Sequence, residues 1–182
     1  MHTINIVESE FYDEERNRFI RIPSRKIVVE HSLVSISKWE QKWHKPFFNT
    51  DFTREELLDY IRCMTITQNV DPNTYLGISS EEMKKVREYM NDSATATTIK
   101  EKPGKPKPKR NVSQIITSEL IYGWMIQYGV PMECQKWHVN RLIMLIRVCQ
   151  ELQGTEKMSK KDLYKQNRAL NAARKAKYHT RG

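Results

Sequence analysis

The chain has 182 residues, enough for one domain or for a small domain with an added helical unit. Hydrophobic residues make up 38% of it and charged residues 29%, as in a water-soluble protein with a modest core. The longest uninterrupted apolar run, residues 142–146, is far shorter than the roughly 20 residues that cross a bilayer, so we expect no membrane segment.

The net charge of +9 is unevenly placed. Residues 100–110 carry +5 and residues 155–182 carry +7, so the rest of the chain carries −3. A folded part this close to neutral argues against a nucleic-acid-binding core. The basic tail can meet an acidic partner or a phosphate backbone, and its cations include Arg168, Arg174, Lys175, Lys177 and Arg181.

The N-terminus has neither the basic head nor the apolar segment of a signal peptide. The chain has three cysteines, Cys63, Cys134 and Cys149. A small, odd number of cysteines argues against a disulfide framework. We therefore expect an intracellular protein with reduced thiols.

The first elements in chain order are short strands. Alternating or β-rich runs predict antiparallel strands near residues 3–7, 18–22 and 26–30. We assign Pro23-Ser24 to the turn between the last two strands, and the acidic residues 9–17 to a solvated loop.

Helical periodicity begins at residues 35–44, where Trp39 and Trp43 share a face, and it stops before Pro46. Two helices follow, each opened by a pattern typical of a capping box. These patterns are Thr53 with Glu56 and Ser79 with Glu82, with residues 69–77 between the helices as loop. Residues 1–91 thus predict a small α+β domain that is mainly helical.

Residues 92–112 form a predicted linker. The segment EKPGKPKPK has prolines every two or three positions and no apolar side chains, which favours an extended, semi-rigid backbone. A helical hairpin is predicted over residues 113–154, its first helix capped by Ser113 and ended by Gly129. Pro131 opens the second helix, which Gly154 ends, and residues 155–182 are a basic helix or tail.

The chemistry of the chain predicts no enzyme. No glycine-rich phosphate loop and no nucleophile elbow is present, and we predict neither catalytic residues nor a cofactor. Cys134 and His138 are four apart, as two metal ligands on one helix face would be, but a zinc site needs about four ligands. Packing of these two side chains inside the fold is the favoured interpretation, so we predict no metal site.

Four tryptophans, Trp39, Trp43, Trp124 and Trp137, raise the alternative of base stacking. Three of them lie within apolar helical stripes, which favours core or helix-interface roles. Trp137, beside Lys136 and His138, stays undecided.

Four segments carry a resemblance to a known family. They are HSLVSISKWEQKWHKPF from His31, DYIRCMTITQNVDPNTY from Asp59, IITSELIYGWMIQYGVPMECQKWHVNRLIMLIRVC from Ile115, and KMSKKDLYKQNRALNAARKAKYHTRG from Lys157. These segments resemble small proteins of long-tailed bacteriophages that are described as tail assembly chaperones. The similarity covers most of the chain apart from the linker, and SISKWE, ECQKWH and LNAAR are its specific strings.

The resemblance implies a non-catalytic role in the host cell cytoplasm during virion assembly. Such a chaperone coats the apolar, helical tape-measure protein and helps to recruit tail-tube subunits. The wide apolar stripe of the hairpin agrees, because it exceeds what one partner helix covers. We expect the tape-measure contact to involve Trp124, Trp137, Leu142, Leu145 and Ile146, and self-association is a further partner mode left open.

Two other functions are open at this point. One is a virion structural or connector protein, which stays in the finished particle. The other is a small nucleic-acid-binding protein that acts through its basic tail.

Overall fold

The computed structural model describes residues 1–14, 17–48, 50–99 and 115–156, together with residues 164, 167–169 and 171. The chain divides into two compact units, Met1–Ile146 and Arg147–Gly182. The fold is α+β and mainly helical, as predicted. Its regular elements are β1 (His2–Ile6), β2 (Ser9–Asp13), β3 (Arg18–Ile22), β4 (Arg25–Val29), α1 (Leu33–Trp43), α2 (Arg54–Met64), α3 (Ser80–Asn91), α4 (Ser118–Tyr128) and α5 (Val139–Glu156).

The four strands follow one antiparallel register. β1 pairs with β4 and β2 pairs with β3, from His2 opposite Val29 to Asp13 opposite Arg18. The numbers of paired residues sum to 31 throughout both ladders, so the register is unchanged across the gap between them. The gap contains Pro23, which has no N–H to donate to a ladder.

Two strand predictions are therefore wrong. Residues 9–17 are not all loop, because β2 lies within them, and Pro23-Ser24 interrupts a ribbon instead of turning a hairpin. The described side chains of β2 are mostly exposed, so it lacks the buried, alternating face by which a strand is recognised in sequence. Backbone pairing with β3 defines this strand.

Helices α1 and α2 begin at side-chain caps. The Ser32 hydroxyl accepts a hydrogen bond from the Ser35 backbone N–H, at a distance of 3.3 Å. The predicted capping box of α2 is confirmed: Thr53 Oγ1 accepts from Glu56 N at 3.2 Å, and the Glu56 carboxylate accepts from Thr53 N at 2.9 Å. Trp39 is fully buried, and its indole N–H donates to the Glu56 carbonyl oxygen at 3.1 Å, which joins the two helices.

Helix α3 has only half of its predicted box. The Ser79 hydroxyl accepts from Glu82 N, but the Glu82 carboxylate accepts from the backbone N–H of Asn5 at 3.1 Å instead of reaching back to the cap. This bond ties α3 to β1. The predicted loop before α3 contains a 3-10 helix, Pro72–Gly77, which the Asp71 carboxylate caps at Asn73 N.

One apolar core joins β1, β3, β4, α1, α2, α3 and the first residue of α5. It includes Ile4, Ile27, Ile36, Trp39, Leu57, Tyr60, Ile61, Val86 and Val139. Val139 thus packs with side chains that are more than 50 residues away in the sequence. Residues 1–91 and most of residues 113–154 contribute to the compact unit Met1–Ile146.

The segment around α4 differs from the predicted hairpin in detail. Thr117 caps α4, and Gly129 ends it in the left-handed conformation (φ +66°), as predicted. Pro131 precedes a short 3-10 helix, Met132–Lys136, so the next α-helix begins only at Val139. Helix α4 packs mainly against α1, and α5 continues through Gly154. Ser113 and residues 100–112 of the predicted linker lie outside the described residues, as does most of the predicted basic helix or tail.

A buried carboxylate connects α1 to the beginning of α4. Glu40 is 8% exposed, and its Oε1 accepts from the backbone N–H of Phe47 at 2.8 Å. Its Oε2 accepts from the backbone N–H of Ser118 at 2.7 Å. Ser118 is the first residue of α4, where backbone N–H groups have no partner within the helix and a negative charge is favourable.

We predict that Glu40→Gln destabilises the protein. One of the two backbone N–H groups would then face an amide NH2 instead of an oxygen, at an expected cost of about 2–3 kcal/mol. Urea unfolding followed by circular dichroism measures the effect.

The matched control is Glu88→Gln, at an exposed position of α3. Its free energy of unfolding should stay within about 0.5 kcal/mol of the unmodified protein. Equal stability of the two variants would contradict the role assigned to Glu40.

Candidate protein-binding surface

Helix α4 has an apolar side that the fold does not cover. Its buried residues are Ser118, Ile121 and Met125, which define the inward side. On the opposite side Ile126 is 74% exposed, and Leu120 and Trp124 are half-buried. We call Leu120, Gly123, Trp124, Ile126 and Gln127 the α4 face. Glu119 is the only charged residue of the helix. At 100° per residue, Leu120 and Trp124 lie on one flank of the α4 face and Ile126 lies on the other, with Gly123 and Gln127 between them.

The segment after α4 is fixed beside it. The Tyr122 hydroxyl donates to Oε1 of Gln135 at 2.9 Å, and Cys134 is buried. Met132 in the same 3-10 helix is 44% exposed. The flexible, polarizable side chain of Met132 therefore lies at the surface, six residues after Ile126 in the sequence.

The five predicted contact residues do not share one surface. Leu142 is fully buried and Ile146 is 4% exposed, so neither offers surface to a partner in this fold. The helical period of α5 points both of them inward with Val139. Trp124, Trp137 and Leu145 are half-buried. The predicted contact therefore narrows to these three, of which Trp124 lies on the α4 face.

Trp137 has a partner within the chain. The Arg141 guanidinium lies over its ring, 4.3 Å from the ring centroid. A cation in this position is attracted to the negative face of the indole. Part of the Trp137 ring is thus already covered, which leaves Trp124 as the stronger contact candidate.

Two exposed apolar residues, Ile126 and Ile115, are not among the predicted contact residues. Ile115 is 63% exposed and lines a groove between the beginning of α4 and the end of α1, beside Glu40 and His44. A helical projection that starts from Ile121 and Met125 places Ile126 on the outer side. Nothing in the sequence indicated which side of α4 would pack on α1.

The predicted basic surface lies almost entirely beyond the described residues. Arg168 is helical and exposed. Arg174, Lys175, Lys177 and Arg181 lie outside the described part of the chain. Nucleic-acid binding through the tail stays a prediction.

A buried polar cluster joins the beginning of α1 to the beginning of α5. Nδ1 of His31 lies 2.5 Å from the Tyr60 hydroxyl, and the His31 and His138 ring centroids are 5.0 Å apart. His138 Nε2 lies 3.1 Å from the Tyr89 carbonyl oxygen. Nδ1 of His138 accepts from Asn140 N at 3.3 Å, so Nε2 carries the proton and donates to Tyr89.

Burial keeps the two innermost groups of this cluster uncharged. It lowers the pKa of His31 to about 3, with a further lowering from His138. It also raises the pKa of Tyr60 well above its usual range. Both side chains are nearly inaccessible to solvent, so a substrate reaches neither without local opening. We interpret this cluster as structural, since its hydrogen bonds are satisfied by the chain itself.

The cysteines and the histidine that suggested a metal are dispersed. Cys134 and His138 are both buried, and Cys63 is half-buried in α2, where burial raises the pKa of its thiol. Within the ranges that the structure describes, no three His, Cys, Asp or Glu side chains come together in a way that would hold a metal ion. Nor does any described helix combine the length and the apolarity needed to cross a membrane.

Comparison of the chain with protein families, with curated protein sequences and with solved structures gave no match.

Acid should destabilise the fold through His31. The unfolded side chain takes up a proton near pH 6.5 and the folded one only near 3, so between these values the unfolded state binds more protons. Stability is therefore retained above pH 6.5 and lost as the pH falls towards 3. Between pH 7 and pH 5 the expected loss from this group is about 2 kcal/mol.

Denaturant unfolding at several pH values tests this prediction. His31→Gln should be less stable at neutral pH but should lose less stability on acidification. His44→Gln, at an exposed position, should keep the pH dependence of the unmodified protein. If the free energy of unfolding falls with pH as steeply in His31→Gln as in the unmodified protein, the acid sensitivity belongs to other groups.

Proposed function

We propose that this protein is a non-catalytic tail assembly chaperone of a long-tailed bacteriophage. It binds apolar helical segments of the tape-measure protein through the α4 face, and it helps to recruit tail-tube subunits in the host cell cytoplasm. The observation that carries the proposal is the set of apolar side chains on the outer sides of α4, which are Ile126, 74% exposed, and the half-buried Leu120 and Trp124. The resemblance of the four sequence segments to such chaperones adds independent support.

The chemistry of the α4 face suits a helical ligand. An amphipathic helix binds through residues spaced three or four apart, which lie along one of its sides. Leu120, Trp124 and Ile126 supply apolar contacts, and Gly123 between them leaves open space, since a Cβ there would meet no atom within 4 Å. A helix that fits closely against Gly123 can bury Ile126. This geometry supports repeated, moderately specific contacts along a long apolar partner.

The connection of α4 to the rest of the fold supports the same role. Glu40 binds the beginning of α4, and the Tyr122 hydroxyl holds the following 3-10 helix. The apolar side chains are therefore presented on a fixed scaffold. A preorganised surface binds more tightly than a flexible one because less conformational entropy is lost on binding.

We predict that Ile126→Glu weakens binding to the tape-measure protein. A carboxylate in the centre of an apolar contact must be desolvated without a partner, so the affinity should fall about tenfold or more. Co-expression with tape-measure protein, followed by affinity purification and quantitative mass spectrometry, measures the loss.

Gln68→Glu is the matched control. It adds the same charge at an exposed position outside α4 and should retain the binding of the unmodified protein. Circular dichroism must show equal helicity in both variants. Equal binding by Ile126→Glu and the unmodified protein would remove the α4 face from the proposal.

The proposed role also predicts that the finished particle lacks this protein. A chaperone leaves after assembly, so mass spectrometry of purified virions should not find this protein. Its presence at fixed stoichiometry would instead identify a structural or connector protein.

A further inference from the structure

A second surface of different chemistry lies along α3. It is a groove of 390 Å³ between α3 and the beginning of α2, and a further groove of 330 Å³ adjoins it. The two grooves share Leu57 and Arg87, and we call them together the α3 groove. Residues from Ser80 to Asn91 line it, a distance of about 17 Å along the helix, or three turns.

The walls of the α3 groove combine an apolar floor with a cationic rim. Leu57 and Ile78 are buried and Met83 is half-buried, and these side chains form the floor. Exposed Arg54, Lys84 and Arg87 line the rim. One carboxylate, that of Asp51, lies in the adjoining part.

The charges of α3 are sorted between its sides. At 100° per residue, all groove-lining positions of the helix fall within an arc of about 120°. Lys84 and Arg87 are inside this arc, whereas Glu81 and Glu88 are outside it. Lys85, also outside, forms ion pairs with Glu81 at 3.2 Å and Glu82 at 2.9 Å.

The rim cations are left available for a ligand. Among the residues that the structure describes, the side chains of Arg54, Lys84 and Arg87 form neither an ion pair nor a hydrogen bond. Other cations nearby are paired: Lys45 with Glu56, and Lys42 with Asp59. Three unpaired cationic side chains therefore border this one groove.

The basic segments of the chain itself do not complement this surface. Residues 100–110 carry +5 and residues 155–182 carry +7, so both are repelled by the rim. A ligand has to bring negative charge and apolar side chains together. Nucleic acid brings the charge, but its phosphates do not complement an aliphatic and thioether floor.

We propose that the α3 groove binds an acidic amphipathic helix of a partner protein. Its aliphatic side chains pack on Leu57, Ile78 and Met83, while its carboxylates approach Arg54, Lys84 and Arg87. This inference goes beyond the α4 face and does not depend on it, since the two surfaces share no residue. It gives the protein a second docking site that selects by charge.

The test uses the full chain and a synthetic probe. The probe is a fluorescein-labelled helical peptide of about 18 residues, or five turns, with leucine along one side and glutamate along both borders. Fluorescence anisotropy should show binding that weakens as sodium chloride is raised, because added salt screens the rim charges. A peptide with lysine in place of each glutamate should not bind.

Charge reversal in the groove identifies the site. Lys84→Glu and Arg87→Glu should each weaken peptide binding about tenfold. Lys38→Glu, at an exposed position of α1 outside the groove, should leave the affinity nearly unchanged. All three positions are exposed, so thermal unfolding should be similar in the three variants.

Three outcomes would overturn the proposal. Absence of peptide binding, or equal affinity in the groove variants and Lys38→Glu, would mean that the groove is not the site. Equal or tighter binding of a single-stranded oligonucleotide at the same residues would identify a polyanion site instead. Self-association that is lost in Lys84→Glu would make a second copy of this chain the occupant.

Discussion

The carboxylate of Glu40 is the constraint on which the arrangement of this protein depends. Its two oxygens accept hydrogen bonds from backbone N–H groups that are far apart in sequence, those of Phe47 and Ser118. A buried charge is stable only when such partners satisfy it, so the beginning of α4 has to lie against α1. That contact in turn decides which side of α4 is covered and which meets solvent.

A second junction holds the other end of the same segment. The Val139 backbone N–H donates to the His31 carbonyl oxygen at 2.8 Å, and a bridge pairs Ser32 with His138. The uncharged cluster of His31 and Tyr60 packs beside this junction. Because both of its ends are attached, the segment from α4 to Val139 presents its apolar residues in a fixed orientation. Rigid presentation is what a binding surface needs.

The two proposed surfaces differ in what they select. The α4 face has three apolar side chains and no charged one, so it discriminates by shape and hydrophobic contact. The α3 groove has three cations around its floor, so it requires negative charge. Because the two proposed surfaces share no residue, a protein with both can hold two partner segments at once without competition. Each surface gives its partner a different dependence on salt.

The sequence by itself determined the local elements: the helix starts at Thr53 and Ser79, the stop at Gly129 and the helical stripe around Trp39. These signals are local because a cap or a left-handed glycine acts within one turn. Strand β2 was missed, since its pairing with β3 leaves no periodic buried face. Only the tertiary structure decided that Leu142 and Ile146 are interior and Ile126 is exposed, because Glu40 and His31 select the packed sides of α4 and α5 through contacts with residues 78 to 108 positions away.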